Sequence, residues 1–157
     1  MSLGDPEDVH NELPFVDELQ VLVPAPASAV WRALSKQFSH FRHAPIVALT
    51  HLLGTEPRRA AGGLLSEGSA LPGFAVTEAV PGDRVRLTGR HRFSQYELIL
   101  SLTTRPGGTM LSARSYARFP GLHGSVYRQL VIGSTAHRVL LGGLLRTVRR
   151  RAVRSLA

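Results

Sequence analysis

Cysteine is absent from this chain of 157 residues, which excludes disulfides, thiolate catalysis and zinc–thiolate sites. Lysine is almost absent, with one residue against eighteen arginines, and aromatic residues make up only 6%. No apolar run reaches the roughly 18 residues that a membrane-spanning helix requires. The acidic, polar N-terminus does not have the composition of a signal peptide. We therefore expect a cytoplasmic protein.

The remaining composition is that of a globular chain. Hydrophobic residues make up 43%, which is enough to form one substantial core. We predict a single domain over residues 15–157, preceded by a flexible tail over residues 1–14. The net charge of +8 favours acidic partners such as nucleic acid, anionic lipid or an anionic ligand, but it carries no information about the fold.

The C-terminal residues 121–154 contain no proline and have the 3.6-residue period of an amphipathic helix. The predicted stripe consists of Val126, Leu130, Gly133, His137, Leu141, Leu144 and Val148. We therefore predict one long helix that lies across a broad apolar surface. His137 is the polar member of this stripe, which makes it a candidate for function.

The N-terminal part predicts a strand followed by helices. Residues 16–23 alternate between apolar and polar side chains, as in a half-buried strand. Pro26 is well placed to open a helix, because the first turn does not need its missing N–H. Trp31 lies at helical spacing in this segment and is interpreted as a core anchor. Phe38 and Phe41 predict a second short helix.

The middle of the chain predicts a meander of antiparallel strands. Residues 44–73 fit a strand, a loop and a short strand or flap. Pro81-Gly82-Asp83 predicts a turn, and a change of parity predicts a tight turn or bulge at Ser94-Gln95. The inward positions are predicted to be Val85, Leu87, Gly89, His91, Phe93, Tyr96, Leu98, Leu100, Leu102, Leu111, Ala113, Ser115, Ala117 and Phe119. A twisted sheet of this kind buries its inner face against the terminal helix.

Three stretches resemble the START-like, or SRPBCC, superfamily, which includes polyketide cyclases and birch-pollen-allergen-like proteins. They are Val23-Pro24-Ala25-Pro26 with Val30, Trp31 and Leu34, the hairpin of residues 78–87, and the terminal helix. The resemblance implies an α+β helix-grip fold, with a curved antiparallel sheet of about seven strands around a long C-terminal helix and two short helices after the first strand. It also implies a cavity for lipids, sterols or polyketides. The superfamily has no universal catalytic motif, so it assigns no catalytic residue here.

Two histidines are the candidates for chemistry. His91 lies on a predicted strand and His137 on the predicted helix, and both belong to faces directed at the same interior. An imidazole there is able to act as a general base or to hydrogen-bond a ligand. The alternative is that each is a buried histidine satisfied by the fold.

Further residues complete the predicted ligand site. Tyr96 and Tyr127 are able to add hydroxyl groups, although tyrosines with a bonded hydroxyl are also common in cores. An inward Glu78 would be an acid with a raised pKa, or the partner of an arginine. The alternative is a Glu78 that lies in solvent at the end of the strand. The full predicted set of ligand-contacting residues is Glu78, His91, Phe93, Tyr96, Leu98, Tyr127, Leu130, His137 and Leu141.

Metal and cofactor sites are not predicted. His40 and His43 have a spacing that fits one helical face, but no third ligand accompanies them. His123 and His137 are fourteen residues apart, roughly 21 Å along a helix, so they do not share an ion. No phosphate-binding loop, dinucleotide fingerprint or catalytic-triad order occurs.

The leading hypothesis is a ligand-binding protein for an apolar or amphipathic small molecule. The first alternative is a polyketide cyclase- or dehydratase-like enzyme with a histidine base. The second is a basic module that binds nucleic acid or makes peripheral contact with an anionic membrane. This second alternative rests on the arginines at 84, 86, 90, 92, 114, 118, 146, 149, 150, 151 and 154. We favour a solvated basic face over nucleic-acid binding, and the sequence indicates no oligomeric state.

Overall fold

The computed structural model describes residues 13–41, 65–71, 73–91, 94–129 and 135–157. Within this part of the chain, six antiparallel strands form one curved sheet in the order β1-β6-β5-β4-β3-β2. The strands are β1 (Phe15–Val23), β2 (Ala70–Leu71), β3 (Phe74–Val80), β4 (Arg84–His91), β5 (Ser94–Arg105) and β6 (Gly108–Arg118). β2 has only two residues, so five strands carry the sheet, whereas about seven were predicted.

The strand pattern agrees with the alternation in the sequence. Leu87, Leu100 and Leu111 are fully buried on one face of the sheet. The charged residues that alternate with the apolar ones along each strand lie on the other face. The predicted turn after β3 is confirmed, because Asp83 N–H donates to the carbonyl of Val80 at 3.0 Å and Gly82 takes a φ of 78°.

The second predicted turn lies earlier than expected. His91 pairs with Ser94 across the β4–β5 hairpin, so Ser94 and Gln95 already belong to β5. The predicted position of the turn, at Ser94-Gln95, is therefore wrong, although the change of parity that pointed to a hairpin was correctly detected.

Helix α1 (Ala27–Phe41) follows β1 directly. Val30, Ala33, Leu34 and Phe38 are buried at helical spacing, and Trp31 packs partly buried against the core. Phe38 and Phe41 belong to this one helix, and a second short helix beyond them would lie outside the described residues. Residues 42–64, which include most of the predicted strand and flap, lie outside the described residues.

The predicted single C-terminal helix is in fact two helices, α2 (Gly121–Arg128) and α3 (Ala136–Arg154). Thr135 precedes α3 with a φ of 62°, a left-handed conformation that does not occur within a continuous α-helix of L-residues. The predicted stripe is also wrong at its start, since Val126 in α2 is exposed.

Helix α3 contacts both β1 and α1. Its buried residues Leu141, Leu145, Val148 and Ala152 follow spacings of four, three and four residues. Burying each large apolar side chain contributes about 2 kcal/mol. His137 lies one turn before Leu141 on the same stripe, so this packing directs the imidazole towards the sheet.

Candidate functional site

Two polar residues lie opposite each other at one end of the inner sheet face. Asp17 of β1 pairs directly with Ser115 of β6 in the strand register. Asp17 follows the alternation of Leu19 and Val21, whose side chains pack against the core. Ser115 is two residues after the buried Ala113 in β6, so it lies on the same face, and it is 5% exposed. The inner face, otherwise apolar here, therefore ends in a carboxylate and a hydroxyl group.

His137 completes this polar cluster from the opposite side. Its Nε2 atom lies 3.2 Å from Asp17 Oδ1 and 3.1 Å from Ser115 Oγ. The side chain is 28% exposed, and that of Asp17 is 13% exposed. The other ring nitrogen, Nδ1, has no hydrogen bond to any described residue. The ring is thus oriented by the sheet, while one nitrogen is left for another partner. We call Asp17, Ser115 and His137 the polar cluster.

The polar cluster does not form a catalytic triad. In a triad the carboxylate and the hydroxyl contact different nitrogens of the imidazole, so that one nitrogen donates and the other accepts. Here both contact Nε2. This arrangement holds the ring in place, and any proton transfer or hydrogen bond to a ligand would take place at Nδ1.

Tyr96 is engaged by the fold. Its hydroxyl donates to the carbonyl of Gly73 at 2.5 Å, and its ring makes an edge contact with Phe74 at 5.2 Å between centroids. The ring lies over Gly89, where an added Cβ atom would come within 2.6 Å of it. Glycine is therefore required at this position. The hydroxyl proton of Tyr96 is thus used within the fold.

Glu78 lies on the outer face of the sheet. The β3–β4 register shifts between Val76 and Glu78, so Val76 pairs with the buried Leu87 while Glu78 pairs with Arg86. Its carboxylate accepts from Arg84 Nε at 3.0 Å and lies 3.4 Å from Arg86 Nε. The expectation of an inward Glu78 is corrected by this bulge, which reverses the faces of the strand. Pairing with arginine, the alternative stated above, is what the structure shows.

The other predicted contacts are placed only in part. Leu98 packs against the core, and Leu141 is buried on α3. The backbone of His91 lies in β4 and that of Tyr127 in α2, but their side chains lie outside the described part of the structure. Phe93 and Leu130 lie outside it entirely. The structure therefore brings Leu98, His137 and Leu141 to the inner side, and the other four stay predictions.

Sequence reasoning missed Asp17 as a functional candidate and passed over Ser115, which it had placed inward. The signal for Asp17 was available, since it shares the parity of Leu19, Val21 and Val23 in β1. An acid in phase with three apolar residues belongs to the buried face, where an isolated charge is costly without a partner. His137 is that partner, together with a longer contact of 4.0 Å from Arg138 Nε.

The outer sheet face carries two ion-pair networks. Arg86 donates to Glu97 Oε1 at 2.9 Å as well as facing Glu78. On β1 and β6, Glu18 lies 3.3 Å from Arg114 and accepts from the hydroxyl of Ser112 at 2.6 Å. Arg84, Arg86 and Arg114 of this face are thus paired with carboxylates, which makes the face less suitable for binding polyanions.

In the two networks, the pKa values of the acids are shifted in opposite directions. Burial raises the pKa of Glu97 above its ordinary value of 4.5, and the charge of Arg86 only partly offsets this. The hydrogen bond from Ser112 lowers the pKa of Glu18 below the same value, with a smaller contribution from Arg114. Glu97 therefore depends on its arginine to remain charged, whereas Glu18 is already stabilised as a carboxylate.

Neither a metal site nor a membrane span is found in the described residues. No three side chains among them are grouped as metal ligands would be. His40 is exposed on α1 and lies near Ser39 Oγ, while His43 falls outside the described ranges. Of the helices described, none is both long enough and apolar enough to cross a bilayer.

These elements define an α+β fold in which a curved antiparallel sheet packs against a C-terminal helix. No protein-family model matches the chain, and no curated protein matches it in sequence. Solved structures match in fold. An uncharacterised protein from Rhizobium leguminosarum has a TM-score of 0.56 at 15% identity, covering 88% of this chain and 93% of its own.

Two similar structures are described by a biosynthetic pathway or a biosynthetic locus. The di-domain ARO/CYC protein StfQ of the steffimycin pathway has a TM-score of 0.57 at 14% identity, covering 91% of this chain and 52% of StfQ. DynU16, from the dynemicin biosynthetic locus, has a TM-score of 0.51 at 17% identity, covering 85% of this chain and 45% of DynU16. The chain thus spans about half of each protein. At these identities the likeness shows the fold alone.

Proposed function

We propose that the chain binds an apolar or amphipathic small molecule between the inner sheet face and α3. The observation that carries this proposal is the polar cluster. It supplies an oriented imidazole at the end of an apolar surface, with Nδ1 of His137 not bonded to any described residue. Ligand sites commonly combine apolar walls with a few fixed polar groups. A ligand hydroxyl or carbonyl would bond to that nitrogen.

The fold comparison supports the same proposal. StfQ and DynU16 are named for biosynthetic pathways, so proteins of this fold occur where small organic molecules are handled. We propose a START-like, helix-grip binding protein with Leu98, Leu141 and the ring of Tyr96 as apolar contacts. His91, Phe93, Tyr127 and Leu130 are proposed to complete the wall.

A second candidate is a cyclase- or dehydratase-like enzyme with His137 as the base. The observation in its favour is the Asp17 carboxylate on the imidazole. A carboxylate in this position fixes the ring and stabilises the imidazolium that forms when Nδ1 takes a proton from the substrate. Binding without turnover remains our first choice, because Asp17 is engaged in orienting the ring and no further acid–base group contacts His137 in the described part of the chain.

Two matched probes test the binding proposal. 1-Naphthol and naphthalene have the same ring system, but only the former offers a hydroxyl to His137. We expect both probes to bind the wild-type protein. His137→Gln should weaken the binding of 1-naphthol by about fivefold, the value of one hydrogen bond, and leave the binding of naphthalene almost unchanged. Probe fluorescence gives the dissociation constants, and circular dichroism confirms that the variant is folded.

His123→Gln is the matched control, because it makes the same chemical change at an exposed residue of α2. This variant should bind both probes like the wild type. If neither probe binds the wild type, the binding proposal is wrong. If His123→Gln and His137→Gln weaken the binding of 1-naphthol equally, the polar cluster does not bind the hydroxyl group of the ligand. Should His137→Gln fail to fold, Ser115→Ala tests the same cluster from β6.

A further inference from the structure

A groove runs between α1 and the C-terminal end of α3. Its volume is about 400 Å³, within the range of small-molecule sites. Ala29 and Ala33, which are almost completely buried, lie along α1 at the bottom of the groove. Their short side chains leave the space open. The lining residues are Ala29, Arg32, Ala33, Lys36, Arg151, Arg154 and Ser155.

Four of these residues are cations, two from each helix. Arg32 and Lys36 are one turn apart on α1, and Arg151 and Arg154 are three residues apart on α3. No described carboxylate forms an ion pair with any of the four. Neither helix contains an aspartate or glutamate, and the last acidic residue of the whole chain is Glu97. Within the described part of the chain, therefore, no acidic side chain neutralises the positive charge of this groove.

Stability of the fold does not account for this concentration of charge. Cations near the C-terminus of a helix are favoured by its dipole, which explains Arg151 and Arg154. Arg32 and Lys36 do not lie in the last turn of α1 and gain no such stabilisation. Like charges one turn apart are mildly destabilising. The arrangement is thus better explained by a ligand than by the helices themselves.

We propose that this groove binds a small oligophosphate. Guanidinium groups form paired hydrogen bonds to phosphate oxygens, and lysine adds a compact charge. A compact chain of phosphates carries several negative charges and is able to contact cations on both walls of a groove at once. Arg151 lies fourteen residues after His137 on α3, roughly 21 Å along the axis, so this site is separate from the polar cluster.

Tripolyphosphate is the probe, and calorimetric titration of the full chain is the measurement. We expect saturable binding that weakens strongly between about 50 and 200 mM salt. The double variant Arg151→Ala, Arg154→Ala should lose about tenfold or more in affinity, since each charge-assisted contact is strong. Arg32→Ala with Lys36→Ala should show a similar loss from the other wall of the groove.

Arg146→Ala with Arg149→Ala is the matched control. It removes two exposed charges from the same helix, but neither residue lines the groove. Affinity within about twofold of the wild type supports the site, because screened distant charges contribute little. An equal loss in the control and in the groove variants overturns it, since attraction would then be diffuse. Citrate binding as tightly as tripolyphosphate overturns the phosphate assignment, and so does an absence of tripolyphosphate binding.

Discussion

The outer sheet face and the α1–α3 groove are both rich in arginine, but they differ in what faces the arginines. On the sheet, Arg86 contacts Glu97 at 2.9 Å and Arg114 contacts Glu18 at 3.3 Å. In the groove, Arg151 and the other three cations form no ion pair with any described residue. Both surfaces carry arginine, but the sheet face also carries glutamates that pair with it, whereas the residues lining the groove include no acid.

Backbone geometry explains the difference. Antiparallel strands bring residues that are distant in sequence to within reach across the sheet, so arginines of β4 and β6 meet acids of β1, β3 and β5. Helices place only residues three or four apart on one face, and α1 and α3 contain no acid to place there. We conclude that arginine has a structural role on the sheet and is available for binding in the groove.

The largest effect expected from this comparison follows Arg86→Met, which keeps an apolar stem but removes the charge. Glu97, whose side chain is only 9% exposed, would then lose its cation. We expect a loss of about 2 kcal/mol in the free energy of unfolding, less than for a fully buried pair because Arg86 is partly solvated. Urea denaturation at neutral pH is the measurement.

Arg151→Met is the control from the groove. It removes the same charge from a side chain without an ionic partner in the described structure, and should change the free energy of unfolding by no more than about 0.5 kcal/mol. Equal losses in the two variants would contradict the assignment of structural and binding roles to the two regions.

A smaller effect separates the two networks within the sheet face. The pKa of Glu97 is raised in the folded protein, so its stabilising contribution is present below pH 4.5 and is lost as the pH rises through the folded value. The pKa of Glu18 is lowered, so its contribution is present above pH 4.5 and is lost as the pH falls through the folded value.

Glu97→Gln should therefore flatten the pH dependence of stability above 4.5, and Glu18→Gln should flatten it below. Melting temperatures measured between about pH 3 and pH 7 give both curves. The opposite assignment, with Glu18→Gln acting on the alkaline side, would show that Ser112 does not stabilise its carboxylate.

The sheet was largely predictable from the sequence, because its signals are local. Alternation with period two identified the inner faces of β4, β5 and β6, and Pro81-Gly82-Asp83 identified a turn. The break before α3 was missed because the apolar period continues through it. Gly133 and Thr135 are weaker helix formers than alanine, by about 1 kcal/mol for glycine, and were the available signals of the break.

The site was predictable only where one residue disagreed with its own pattern. His137 stood out as the polar member of an apolar stripe. Asp17 also disagreed with the apolar pattern of its strand, but its contact with His137 was not predictable, because Asp17 and Ser115 are 120 and 22 residues away in sequence and meet His137 only through packing. The position of Glu78 depends on a bulge, which alternation alone does not reveal.

Two separate ligand surfaces on α3 are the central claim of this account. Amide chemical shifts of the labelled protein, titrated with 1-naphthol and separately with tripolyphosphate, test it directly. We predict that 1-naphthol shifts Leu98, Ser115 and Leu141, whereas tripolyphosphate shifts Ala29, Ala33 and Arg151. The claim would be contradicted if both probes shifted the same set of residues. It would also be contradicted if neither probe shifted the residues predicted for it.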